Sequence, residues 1–332
     1  MVTKNRILKI LFHYIFHFLF IKLSSRKIFY VTIIIIFLMN VSCSQITDPK
    51  TEEGNLISLS QTSPQFSSDG QKIVFEGLYD SVYAVHFVDI AGNYLGYILD
   101  RKGFLSSPTW SPNDEKIAVT IEGNLYTVKV NRDSLTRLTN TGEDFFSNWS
   151  PDGKYIAYTK SICDPECGIM LYDFSNGSTA IKTKYGSYAS WSDDSKRVYY
   201  RNNFYITDPE THRGDYKGFV FKRIDVITQE EDSLFYVKSS DGGLYLHDCT
   251  VSPDEEEILF AASYGSPPQI NIWKIVLQTG QMIQITYDGG SYPSYNLTGD
   301  KIVYTNTNIN EGGIWIMKRD GSNKQRLTKL NR

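Results

Sequence analysis

Histidine and cysteine are scarce in this chain, with five and four among 332 residues. Beyond residue 42 only His86, His212 and His247 remain. A metal centre would need most of them to converge, and no second Cys or His pair stands at zinc spacing. Gly-x-Ser-x-Gly is missing, which excludes the nucleophile elbow of a propeller-linked serine peptidase. His-Glu-x-x-His, a P-loop and a dinucleotide fingerprint are missing too. No cofactor and no metal are expected. Beyond the N-terminal region no stretch sustains a helical period. Positive charge is also short. Of 34 Lys and Arg, six (Lys4, Arg6, Lys9, Lys22, Arg26, Lys27) lie in the first 42 residues, which hold no acid. The remaining 28 face 37 acidic residues, a net charge of −9. A domain so acidic is a poor match for a phosphate backbone, so nucleic acid is not an expected partner.

Aromatic residues are plentiful, with 23 Tyr and 18 Phe making most of a 14% aromatic content. That suits strands filling layers between sheets. The clearest element is Trp149-Ser150-Pro151-Asp152-Gly153-Lys154-Tyr155-Ile156-Ala157-Tyr158. Pro151 presets φ, Asp152 can bond its own turn, and Gly153 supplies φ > 0, so the run reads as strand, tight turn, strand. Equivalent turns follow Phe66, Trp110, Trp191, Val251 and Tyr295. The six anchors are separated by 44, 39, 42, 60 and 44 residues. Four of the five gaps match the ~40–45 residues of a four-stranded propeller blade. The expected fold is therefore all-β, a six-bladed β-propeller of four-stranded antiparallel blades over 57–330. Each hairpin is followed by two more strand signals, such as Leu125–Val130 and Leu135–Thr139. Asn55–Ser60 resembles another fourth strand and is expected to close the ring through the last blade.

Trp149 to Ile156, Ile314-Trp315-Ile316 with Arg326-Leu327-Thr328, and Arg137-Leu138-Thr139 together resemble the TolB-type propeller repeat, which is related to WD repeats. The resemblance covers about residues 55–330. It implies a fold rather than a function, because the repeat serves binding proteins and the propellers of some peptidases. It does not extend to the N-terminal mixed domain of TolB, for which residues 44–56 leave no room.

Residues 1–42 read as an export signal: Arg26 and Lys27, then the apolar run Ile28–Met39, then Val41-Ser42 before Cys43. The true translation start is expected downstream of Met1. Asn40-Val41-Ser42-Cys43 resembles a bacterial lipobox, departing from it at Asn40, and this implies lipidation at Cys43. Ser44-Gln45 implies the outer membrane, with 43–56 as a tether. Soluble export and a retained anchor are the alternatives. Cys163 and Cys167 flank a short loop and are expected to form a disulfide, against free thiols or a metal. Cys249 reads as a small buried apolar residue.

In such blades the six turns share one face, and the second-to-third-strand loops and blade connections share the other. That second face carries the irregular lengths, including the insertion near Arg201 to Lys217. It also carries Phe104, Phe145, Phe146, Tyr185, Tyr188, Tyr287 and Tyr292, all read as lying in connections. Function concentrates in loops on rigid scaffolds, and Tyr and Arg are favoured contacts. The candidate ligand-binding set is Phe104, Phe145, Tyr185, Tyr188, His212, Arg213 and Tyr292. The alternative is ordinary surface tyrosines packed on their own blades. The expected function is a monomeric, lipid-anchored cell-envelope propeller that binds a protein, peptide or glycan. A propeller-scaffold hydrolase or lyase acting in the central channel is the alternative. Acidic or His side chains converging in the channel would favour the enzyme, and an aromatic, polar rim the binder.

Overall fold

A computed structural model describes residues 61–328 apart from 80–81, 101–103, 162–166, 208–213, 239–244, 265–268 and 309. The export segment, Cys43, the tether, Asn55–Ser60, Cys163, His212 and Arg213 lie outside the described residues. The described chain forms 24 strands in six antiparallel sheets, each built from four consecutive strands. The inner strands are Gln61–Phe66, Leu105–Trp110, Asp144–Trp149, Ser187–Trp191, Tyr245–Val251 and Ser291–Tyr295. Each touches the next, and the sixth touches the first, so the six blades close a ring. The chain is a six-bladed β-propeller.

The anchors explain the packing. Every pair of neighbouring blades shares one apolar cluster, and each cluster contains one anchor, packed towards the preceding blade. Trp110, for example, lies among Val74, Phe87 and Ile117. Second strands are buried on both faces, as in Lys116–Ile121. The outer strands of blades 2 and 6 shrink to two residues, Thr136–Arg137 and Gln325–Arg326.

The turn motif works through its serine. Ser150 Oγ donates to Asp152 (2.7 Å) and accepts the Tyr155 amide (2.9 Å). Ser67, Ser111, Ser192 and Ser252 make the same pair of bonds. Gly153 sits at φ 73°, as the sequence predicts, but the same position in blades 2, 4 and 5 is Asp114, Ser195 or Glu255. These side chains tie turns together across blades. Asp114 accepts the Ser68 and Asp69 amides, Ser195 accepts the Asp152 amide, and Glu255 pairs with Arg197. The left-handed conformation, costly for an L-residue, is offset by these bonds.

The Arg-Leu-Thr motif closes the far edge of blades 2 and 6. Arg137 Nε donates to the Thr139 carbonyl and Arg326 Nε to that of Thr328, both at 2.7 Å. The Thr hydroxyls accept the third-strand amides of Leu125 (2.9 Å) and Ile314 (2.8 Å). They then donate to the first inner-strand residue of the next blade, Asp144 for Thr139 and Gln61 for Thr328. His86 is fully buried between blades, with its ring nitrogens 3.0 Å from Tyr94 Oη and the Gly77 carbonyl. It is the structural histidine that its place on a third strand suggests.

Candidate functional site

The inner strands surround a channel, and each is broken by a slip in register. In five blades pairing with the second strand slips between the residues four and one before the anchor, for instance between Ser106 and Thr109; in blade 5 it slips earlier, between Leu246 and Asp248. The residue three before the anchor takes φ between 51° and 59° at Ser63, Ser107, Phe146, Tyr188 and Tyr292. Such a bulge re-aims side chains, and these residues line the channel together with Asp248, which in blade 5 is paired with Ala261 just past an earlier slip. Phe145, Phe146, Tyr188 and Tyr292 therefore belong to inner strands, not to connections as the sequence reading has them.

One step before the anchors lies a second ring: Gln65, Thr109, Asn148, Ser190, Thr250 and Ser294. All are polar and uncharged. Several bond round the ring: Gln65 to the Trp110 amide, Asn148 to the Ala189 carbonyl, and Ser190 to Thr250. This belt divides the channel. On the turn face a funnel of about 520 Å³ is lined by all six blades. Towards the loop face lies a smaller chamber of about 100 Å³, lined by the bulge residues. The funnel is larger, but Ser67, Ser150, Asp152, Ser192 and Asp194 in its lining are committed to the turn bonds described above.

The loop-face end has polar groups left over. Asp248 is 5% exposed, and its Oδ2 accepts the Tyr292 amide at 2.7 Å. Burial pushes its pKa up to about 7, opposed by that amide and by Arg201. Glu76, on the second strand of blade 1, is 6% exposed and accepts Thr62 Oγ1 at 2.8 Å. Burial pushes it up to about 8. Asp248 Oδ1, Glu76 Oε2 and Arg201 Nε make no hydrogen bond of normal length, although the Ala261 amide also acts on Asp248 and the Ser107 amide on Glu76.

Aromatic rings lead outward from this chamber. Arg201 lies over Tyr188 at 5.1 Å, and Tyr188 stacks on Phe146 with centroids 4.1 Å apart. Phe146 leads to Phe145 and Phe145 to Phe104, each at 6.3 Å. Phe104 is half exposed at the rim, in the connection before blade 2. The fold thus brings Phe104, Phe145, Tyr188 and Tyr292 of the candidate set to the chamber and the run leading from it. Tyr185 stands apart, exposed in the connection between blades 3 and 4. Asp248, Glu76, Arg201 and Phe146 complete the arrangement. Of these, the sequence reading had named only Phe146 on this face and Arg201 as the start of an insertion. That insertion is a pair of long strands, Arg197–Thr207 and Gly214–Asp225. Cys249 lines the chamber half-buried, with its thiol towards the Tyr188 carbonyl (3.5 Å). Cys167 is buried and disulfide-bonded.

The family model of the TolB beta propeller domain matches residues 47–213, half of the chain. The chain belongs to the TolB β-propeller family. An uncharacterised protein of Agrobacterium fabrum is 23% identical over 240 residues, covering 68% of this chain and 76% of its own. Among solved structures, a putative TolB from Agrobacterium tumefaciens is 20% identical with a TM-score of 0.55. It covers 73% of this chain and 84% of its own. TolB from Acinetobacter baumannii is also 20% identical, with a TM-score of 0.61 over 78% of this chain and 63% of its own. At that identity the likeness is one of fold. In this TolB-type propeller the turn and Arg-Leu-Thr motifs belong to the scaffold, and the loop-face chamber is the feature they leave unexplained.

Proposed function

We propose that this TolB-type propeller is an exported, lipid-anchored binding module that receives an extended segment of a partner protein at the loop-face mouth of its channel. The observation that carries the reading is the continuous run Phe104–Phe145–Phe146–Tyr188, which ends at the chamber holding Asp248. Three of the four rings are Phe and offer no hydroxyl to a sugar. Their tilted packing makes apolar clefts for side chains rather than an open flat platform. A protein segment fits better than a glycan. The lipid anchor is supported by the sequence around Cys43, and intact-mass analysis tests it: a mature N-terminus without acyl groups refutes that part.

The binding site is tested by a photo-crosslinking residue placed in the full chain at Phe104 or at Leu297, which is exposed on the turn face. Cross-linked partner is expected from position 104 and should be lost when Phe145 is also changed to Ala. Cross-linking from position 297 alone would put the site on the wrong face. A hydrolase or lyase is the second reading, favoured by two carboxyls of raised pKa beside the channel. It requires turnover that disappears in Asp248→Asn.

A further inference from the structure

The binding reading leaves one matter open: what the chamber at the end of the aromatic run recognises. Asp248 is the only charged residue among the described residues lining it. The Tyr292 amide donates to one of its oxygens and the Ala261 amide also favours the ionised form, while Oδ1 makes no hydrogen bond of normal length although the residue is 95% buried. Glu76 stands behind Ser63, whose hydroxyl reaches Glu76 Oε1 at 3.5 Å; the Ser107 amide also acts on this carboxyl, and its Oε2 makes no hydrogen bond of normal length. Burial holds the Tyr292 hydroxyl protonated, and both acids lie near enough to Tyr292 to act with it. Leaving a buried carboxylate oxygen unbonded is costly, and a fold that needed only structure would replace it with an apolar or fully paired group.

We infer that the chamber is a socket for an ammonium group, the tip of a lysine side chain on the bound protein segment, with Asp248 as its counter-ion. The inference rests on the binding reading and gives it a chemical identity. Size agrees: about 100 Å³ admits an ammonium and its terminal methylenes. The walls agree, because Phe146, Tyr188 and Tyr292 line the chamber, and aromatic faces attract a desolvated cation. Charge agrees as well. Facing Asp248 are Tyr188, Tyr292, Cys249 and Arg201, and facing Glu76 are Tyr83 and Tyr292. Once both carboxyls are ionised, they leave one negative charge against the single Arg201 guanidinium for the incoming cation to neutralise. A second guanidinium fits poorly, since Arg201 already lies over Tyr188 and its Nη1 is held by Asn203 at 2.7 Å.

Insertion of an ammonium favours the ionised carboxyls. Asp248 and Glu76, raised to about 7 and about 8 in the free chain, then release protons on binding. Affinity should therefore rise from pH 6 to pH 8. The test is calorimetry on the full chain in detergent with the peptides acetyl-Phe-Lys-Phe-amide and acetyl-Phe-norleucine-Phe-amide. At pH 8 the lysine peptide should bind at least ~10-fold more tightly, corresponding to ~1.4 kcal/mol. Its heat should vary with the ionisation enthalpy of the buffer. Asp248→Asn keeps an acceptor for the Tyr292 amide and should reduce the lysine peptide to the norleucine level at an unchanged melting temperature. Acetylating the lysine should do the same in the unaltered chain. Equal binding of the two peptides overturns the socket while the segment reading stands. Binding of neither overturns both. Displacement of the lysine peptide by calcium ions that stabilise the unaltered chain but not Asp248→Asn would make this a metal site and overturn the proposal.

Discussion

Changing Glu76 to Gln should remove a pH dependence built into the propeller. Burial raises the Glu76 pKa from its ordinary 4.5 to about 8, with the Thr62 bond opposing. Between those values the folded chain holds a proton that the unfolded chain has lost. Stability therefore falls as pH rises through the window and is fully present only below it. At about 1.4 kcal/mol per pH unit, the full shift sets an upper bound of about 5 kcal/mol. Relaxation of the site and entry of water reduce this, and about 2–3 kcal/mol is a reasonable expectation. Gln mimics the protonated acid and can still accept from Thr62 through its amide oxygen. Urea midpoints at pH 5, 7 and 9 provide the assay, with other titrating groups cancelling between variant and parent. The two proteins should be close at pH 5, and the Gln variant should be more stable by about 2–3 kcal/mol at pH 9. An offset that stays constant from pH 5 to 9 would mean that Glu76 ionises normally and that the burial argument fails.

Arg319 joins blade 6 to Asp254 and Glu257 of blade 5, and its bond holds Asp254 down to about 2. Since Asp254 is 40% exposed, screening limits the loss in Arg319→Gln to about 1 kcal/mol. A lowered pKa stabilises above the unfolded value, so this loss should be measurable at pH 7 and vanish towards pH 2. Tyr185→Ala, at a residue 71% exposed and apart from the aromatic run, should leave segment binding unchanged and shift stability by less than about 0.5 kcal/mol. Tyr188→Ala removes a ring packed between Phe146 and Arg201 and should weaken binding and cost about 2 kcal/mol of stability, read from melting curves. A Cys163–Cys167 bridge closes a five-residue ring and should contribute less than the ~3 kcal/mol of a 15-residue loop. Free alkylation of both thiols in oxidised, denatured protein would disprove it.

The fold was legible because its signals repeat. Anchors, turn serines and turn acids recur at blade spacing, and each maps onto a named bond or cluster. The chamber was half legible. Phe146, Tyr188 and Tyr292 were visible as aromatics, but nothing marked the bulge that turns them inward. Residues with φ > 0 are usually Gly or Asn, whereas here ordinary side chains hold that conformation. Asp248 and Glu76 were missed because an acid in a strand reads as solvent-facing until its neighbours are known. One signal was available: Asp248 stands three residues before its anchor, the register of Tyr188 and Tyr292.

The bond from Thr328 to Gln61 joins residues 267 apart, whereas its counterpart from Thr139 to Asp144 spans five. The side chains at the two seams do the same work, but the chain statistics differ. Neighbouring blades elsewhere in the ring are linked by a connection; among the described residues, blades 6 and 1 meet only through side chains and packing. Closing a loop of 267 rather than ~44 residues costs about 1.6 kcal/mol more in chain entropy. The ring is thus expected to behave as a clasped bracelet, opening at the clasp before any blade unravels. Hydrogen exchange should report it at equivalent amides, faster at Ile314 beside the clasp than at Leu125, since each is bonded to its own motif threonine. Equal protection at the two would mean that the propeller melts as one unit, with its first and last blades joined as firmly as any pair the backbone connects.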